Sequence, residues 1–400
     1  MNILATLTYY HPHWTGLTVV ARRLAEGLAA RGHSVTVLAS QHEQNLPRHE
    51  EINGVHVIRV PSVGRVSRTA VMPSFPTALA RLTARTDIVH LHTPMPESLL
   101  AIGQARLQRK PTVITHHGDV VMPAGVANGV IQHAMDGNIG LAMRLADRVV
   151  VSAADYARHS TFLAPVANRI RSIYPPVDLP PPRPSAARAW RQELGLEGKQ
   201  LVGFAGRFVE EKGFDFLLQA VPLVRSQLPD AQFVFAGDTD IAYERFFDRC
   251  RALLEAHGGS VTRLGLLGDP QQMADFYAMC DVFVLPSRSD SFAIVQVEAV
   301  LCGTPLVSTD IPGAREVVRT TGAGRLVRPR DSAALAAGIV AVLRNPRPYQ
   351  PRPEQVRAVF DPDRSIERYE ELMLELHRAR GMHARPGGGR ARSLPRARAR

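Results

Sequence analysis

The sequence predicts an α/β chain of two domains, each built on a mostly parallel sheet. Three observations predict it. The 400 residues exceed one usual hydrophobic core. Short apolar runs alternate with helical stretches from Asn2 to about residue 345, a strand–helix–strand pattern whose default is parallel pairing. Tyr174 to Pro184 carries six prolines and reads as a stiff, extended interdomain connector. The expected organisation is a first domain over 1–174, a Pro-rich linker over 175–198, a second domain over 199–357, a last helix over 358–379 and a tail over 380–400.

The first unit opens with a strand at residues 2–7, a loop at Thr8–Gly16 and a helix at Leu17–Ala30 with Val20, Leu24 and Leu28 on its apolar face. Gly32 stands where a helix C-terminus needs left-handed backbone. Strands follow at Ser34–Ala39, Val55–Val60, Ile88–His92, Thr112–Thr115, Arg148–Ser152 and Arg171–Ile173. Asn45–Glu51 and Pro61–Pro76 read as polar or Pro-punctuated loops bordering a cleft. The second unit repeats the alternation, with strands at Leu201–Ala205, Gln232–Ala236, Val261–Leu264, Val282–Leu285 and Pro305–Ser308. Helices are expected at Gln271–Met279, 331–343 and Asp363–Arg378, the last with Ile366, Tyr369, Met373 and Leu376 on one face.

Composition excludes several classes. A 45% hydrophobic fraction is that of a globular protein, and no run of eighteen apolar residues predicts a membrane span. The start, MNILATLTYYH, opens as a strand without the basic region of a signal peptide, so a cytoplasmic location is expected. Cys250, Cys280 and Cys302 are too scattered for a disulfide framework or a zinc site. The net charge of +11 is mostly a tail property: eight arginines and no acid lie between His377 and Arg400, which leaves +3 for the rest. That Gly-, Pro- and Arg-rich tail is expected to be disordered and solvated, with peripheral contact to an acidic membrane as the alternative. No nucleic-acid-binding motif is present, so no nucleic-acid partner is expected.

Four stretches carry the chemistry. Pro286–Val318 reads as a strand end, a polar loop, a helix from Phe292 to Leu301 and a further strand and helix start. A helix N-terminus facing a strand's carboxyl end offers unpaired N–H groups to an anion. Glu298, two turns in, suits a diol such as a ribose, and Asp290 sits at the loop tip, where it could also cap the helix. Gly206–Gly213 follows the first strand of the second unit and sends Arg207 and Lys212 toward the cleft, where each suits a diphosphate or else pairs with Glu210 and Glu211. Thr115–Asp119 ends a buried strand, which places His117 where ligands of parallel sheets bind. The first loop lacks G-x-G-x-x-G, which argues against a dinucleotide cofactor, but offers Gly16 for close approach to a phosphate.

Together these stretches resemble the retaining glycosyltransferases of family 4. D-S-F-A-I-V-Q-V-E-A-V-L-C-G-T-P-L at 290–306 is similar to that family's E-x7-E segment, with Asp290, Ser291 and Ala293 in place of Glu, Gly and Gly. Gly206–Gly213 resembles G-R-x-x-x-x-K-G, the histidine of T-x-H-x-D falls on His117, and TGLTVVARRLAEGLAARGHSVTVL resembles the family's first helix and second strand. The resemblance implies the GT-B fold, two Rossmann-like domains with parallel sheets facing across a cleft, and a last helix crossing back onto the first domain. It implies a nucleotide-sugar donor as substrate, UDP- or GDP-linked, with no cofactor and no metal. It also implies transfer with retention to a glycan, lipid-linked or small-molecule acceptor. Implied roles are His117 and Asp290 at the donor sugar, and Arg207, Lys212 and the N–H groups of Phe292, Ala293 and Ile294 at the diphosphate. Glu298 falls at the ribose, Leu267 and Gly268 at the base and Gly16 at the donor phosphate. A nucleotide-sugar epimerase and a non-catalytic nucleotide-sugar-binding protein remain alternatives on the same scaffold.

Overall fold

The computed structural model describes residues 1–66, 69–119, 125–239 and 245–383. Its strands are β1 Asn2–Thr6, β2 Ser34–Gln41, β3 His49–Ile52, β4 Val55–Pro61, β5 Arg65–Val66, β6 Thr69–Ala70, β7 Ile88–Thr93 and β8 Thr112–His116. They continue with β9 Arg148–Val151, β10 Ile170–Ser172, β11 Gln200–Ala205, β12 Ala231–Ala236, β13 Val261–Gly265, β14 Val282–Leu285, β15 Leu306–Thr309 and β16 Gly324–Val327. One sheet runs β10-β9-β8-β7-β1-β2-β4-β3, a second runs β13-β12-β11-β14-β15-β16, and β5 and β6 form a separate ribbon. The second sheet is parallel throughout; in the first, only β3 pairs antiparallel, with β4. Strand order reverses beside β1 in one sheet and between β11 and β14 in the other, so each sheet opens its ligand crevice there.

Burial follows the sequence pattern. All six residues of β7 are buried, as expected of a strand covered on both faces. The helix Gly16–Ala30 starts on a capping box in which Thr15 Oγ1 accepts from Thr18 N and Thr18 Oγ1 accepts from Thr15 N. The last helix, Pro362–His383, starts and ends four residues later than the expected 358–379 and lies on the first domain. Its Ile366, Tyr369, Leu372, Met373 and Leu376 are buried with Leu24, Leu28, Val37 and Val113. Gly27 has no side chain where Ile366 packs, and Tyr369 Oη lies 3.1 Å from Thr115 Oγ1.

Several expected boundaries move. The expected polar loop at Asn45–Glu51 gives way at His49 to β3, an edge strand with half-exposed residues and therefore little apolar signal. β16 was not expected, because Gly324 and Arg325 interrupt its apolar run. The Pro-rich linker is without regular structure only to Arg183; Pro184–Glu193 is a helix started by its proline. The tail beyond residue 383 lies outside the described residues.

Candidate active site between the two sheets

His117 follows β8, and its backbone N–H donates to Thr93 O at the end of β7 (3.0 Å). Its Nε2 lies 2.9 Å from His92 Nδ1, with the rings stacked at 5.2 Å, so one proton serves both nitrogens. Below them, the His90 ring lies 4.3 Å from that of His92, and His90 Nε2 lies 2.8 Å from Thr115 Oγ1. Burial pushes His117 and His90 down to about 3, and His92 well down, so all three are neutral at pH 7. His116 points elsewhere: Nδ1 lies 3.0 Å from Thr93 Oγ1 and Nε2 3.0 Å from Asp119 Oδ1, a structural role for both residues. Ser160 Oγ also donates to Asp119 (3.0 Å).

The second domain meets this strand end directly. Ser291 Oγ donates to the His117 carbonyl, and a side chain at Gly118 would press on Ser291. One residue earlier, Asp290 is buried and forms an isolated parallel bridge to Gly313. Its Oδ2 accepts from Lys212 Nζ at 2.7 Å and from Ser287 Oγ at 3.3 Å. Asp290 therefore does not cap the following helix, correcting one sequence expectation. Lys212 pairs mainly with Asp290 and only distantly with Glu211, at 3.8 Å. Burial works against its ammonium, but those two carboxylates outweigh it and hold its pKa above the ordinary value.

The helix expected to face an anion begins later than the sequence reading put it, at Ile294, with Ala293 extended at its cap position. Phe292 is instead a packing residue beside Tyr174 and Phe360, with ring centroids at 5.7 and 6.0 Å. Among the described residues no side chain caps this helix, so its first N–H groups have no side-chain acceptor. Ile294 Cδ1 comes within 3.9 Å of where a side chain at Gly16 would begin, so the N-terminal ends of the helices Gly16–Ala30 and Ile294–Leu301 meet across the domain junction. Arg207 leaves β11 half-buried and near enough to His13, across the cleft, to help lower that imidazole.

Glu298 is buried in the second turn of this helix, where Tyr277 Oη donates to its Oε2 (3.0 Å) and Arg23 Nη2 stands 3.6 Å from Oε1. Arg23 comes from the first domain and also donates to Asp178 O in the linker (2.5 Å). Nothing in the amino-acid pattern marked Arg23, Tyr277 or His92 for the site: each sits on an ordinary helix or strand face. Leu267 and Gly268 lie apart from this group, after β13; Leu267 is half-buried against the second core and Gly268 is exposed.

A family model described as "Glycosyltransferase Family 4" matches residues 14–180, and one described as "Glycosyl transferases group 1" matches 199–345. A phosphatidyl-myo-inositol mannosyltransferase of Mycobacterium leprae is 31% identical over 332 residues, covering 81% of this chain and 82% of the relative. A D-inositol 3-phosphate glycosyltransferase of Catenulispora acidiphila is 29% identical over 349 residues, 83% of each. Among solved structures, sucrose-phosphate synthase of Thermosynechococcus elongatus superposes with a TM-score of 0.78 at 23% identity, over 95% of this chain and all of that one. HepE of Anabaena, in complex with UDP-glucose, gives 0.74 at 20% identity over 94% of this chain and all of that one. With both sheets, the crevice between them and these matches in agreement, the chain belongs to the family 4 glycosyltransferases of the GT-B fold.

Proposed function

We propose that this protein transfers a sugar from a UDP- or GDP-linked donor to an acceptor hydroxyl, with retention and without a metal ion. The observation that carries this reading is the meeting of the two domains at one point: His117 on the first domain's side of the junction, Ser291 and the Lys212–Asp290 pair on the second's. The donor sugar lies against His117, which is neutral and so hydrogen-bonds a hydroxyl without adding charge. The diphosphate lies on Arg207, Lys212 and the N–H groups that open the helix Ile294–Leu301. Fixed positive groups there absorb the charge that develops on the leaving diphosphate. Each cationic contact is worth about 1.5–3 kcal/mol. Asp290, released from Lys212 as the diphosphate takes up the ammonium, bonds the sugar's hydroxyls. Glu298 takes the ribose diol, with Tyr277 fixing its second oxygen. The relatives' acceptors are inositol derivatives by name, and a polyol or lipid-linked polyol is the acceptor we assign to this chain.

No helix among the described residues is long and apolar enough to cross a membrane. We assign the protein to the cytoplasm with a solvated arginine-rich tail, peripheral contact of that tail with an acidic membrane face being the alternative. The test is incubation with labelled UDP- and GDP-sugars. Hydrolysis or transfer supports the proposal; sugar interconversion, or binding without turnover, refutes it. Glu298→Ala is expected to raise the donor KM about tenfold or more, and an unchanged donor KM removes the ribose assignment.

A further inference from the structure

Two neighbouring strands carry three buried polar side chains on one face. Alternate residues of a strand face one side of the sheet, and His92 on β7 stands opposite Thr115 on β8. His90, His92 and Thr115 therefore share a face, each 1% exposed, with His117 just past the strand end. Val113, opposite His90, lies in the apolar core that the last helix covers. A valine or isoleucine would fill the histidine positions without needing any hydrogen bond, whereas a buried imidazole is tolerated only when bonded.

These side chains are bonded in two tiers. In the lower one, Thr115 Oγ1 lies 2.8 Å from His90 Nε2 and 3.1 Å from Tyr369 Oη on the last helix. In the upper one, His92 Nδ1 lies 2.9 Å from His117 Nε2, and the two rings stack within 21° of parallel. The tiers touch where the His90 ring lies 4.3 Å from that of His92, and His90 in turn packs on Tyr369 at 5.7 Å. His117 Nε2 is thus already engaged, which leaves Nδ1 for the donor sugar. A neutral imidazole has one donor and one acceptor nitrogen. If Nε2 accepts from His92, Nδ1 carries the proton and donates to a sugar oxygen; if Nε2 donates, Nδ1 is bare and accepts from a sugar hydroxyl. A ring free to switch would present the required nitrogen only part of the time.

We propose that His92 is a positioning residue for the transfer, holding His117 in one tautomer and one ring orientation on a base formed by His90, Thr115 and Tyr369. The inference rests on the placement of the donor sugar against His117. The full chain is labelled with nitrogen-15 histidine, and long-range proton–nitrogen spectra are recorded, with His117 identified by its loss in His117→Ala. The wild type is expected to show well-separated His117 lines, one protonated nitrogen and one bare. In His92→Phe, which keeps a stacked ring but no bonding nitrogen, the two lines converge. With whichever labelled UDP- or GDP-sugar is turned over, His92→Phe lowers kcat about tenfold to a hundredfold while the donor KM stays within about twofold. His92→Asn, whose amide takes the place of Nδ1, keeps the lines apart and recovers most of the rate. If His92→Phe no longer binds nucleotide, His92→Gln replaces it; its amide falls beyond the place of Nδ1, so both signatures are lost again. His117 lines that stay separated without the His92 nitrogen, or equal kcat losses in the asparagine and phenylalanine variants, overturn the positioning role and leave the glycosyltransferase reading standing. A wild type that turns over no donor overturns that reading and the role with it, even where the spectra show His117 held in one tautomer.

Discussion

His117 is neutral because it is buried among other histidines, and that fixes how it should behave. With its pKa pushed down to about 3, the ring does not titrate between pH 5 and 8. We expect a pH–rate profile without a His117-dependent inflection near 6.5; an inflection that vanishes in His117→Ala would contradict the neutral role. His117→Ala should lower kcat by roughly 10²–10³ while nucleotide affinity survives, since the lost hydrogen bond matters most at the reacting sugar. Lys212 and Asp290 form the other residue-scale unit. Removing either leaves its partner's charge poorly compensated, so Lys212→Met alone should cost about 3 kcal/mol of stability. Lys212→Met combined with Asp290→Leu should recover part of that loss in chemical denaturation. A fully additive double variant would mean that the 2.7 Å contact is energetically idle.

Among the elements, the loop after β11 decides where Lys212 sits. Gly213 has φ +68°, and a side chain there would run into the carbonyl of Pro286, the residue that ends β14. That close approach lets the loops after β11 and β14 touch, which brings Lys212 to Asp290. Gly213→Ala should therefore destabilise the protein by about 2 kcal/mol and raise the donor KM, both read from one preparation by thermal unfolding and donor titration. An unshifted melting point would show that the loop relaxes freely. The glycine and the lysine were legible in the sequence because a spaced motif carries them. Their coupling to Asp290 was not, because 78 residues separate the partners and only strand order joins them. The helix after β14 was legible as a helix, but its start was not: Phe292 fits the apolar period while packing on Tyr174 and Phe360 instead. β3 escaped because an edge strand needs no continuous apolar run.

Across the whole molecule, polar contacts tie the two domains together: Ser291 on His117 O, Arg23 on Glu298 and the linker, Tyr174 Oη on Glu316 (2.7 Å), and a bidentate pair between Asp155 and Arg315. The bidentate pair is the strongest of these by geometry. Arg315 Nε and Nη2 donate to the two Asp155 oxygens at 2.7 and 2.8 Å, and Gly313 N–H adds a third donor at 3.4 Å. Arg315 thereby holds the Asp155 carboxyl below its usual pKa, against the effect of burial. The depressed pKa means that this contact contributes fully above about pH 3.8 and is lost only as the pH falls through the lower folded value. Near neutrality the pair is thus a constant clamp between the two domains. Asp155→Ala removes the carboxylate and leaves Arg315 with Asp310, at 3.4 Å. Small-angle scattering without nucleotide should then show a larger radius of gyration than the wild type, with saturating nucleotide restoring the compact form. The donor KM should rise several-fold, because part of the binding energy is diverted to closing the cleft. Equal radii for variant and wild type without nucleotide would mean that the remaining contacts, with the last helix packed across the first domain, hold the cleft shut without this pair.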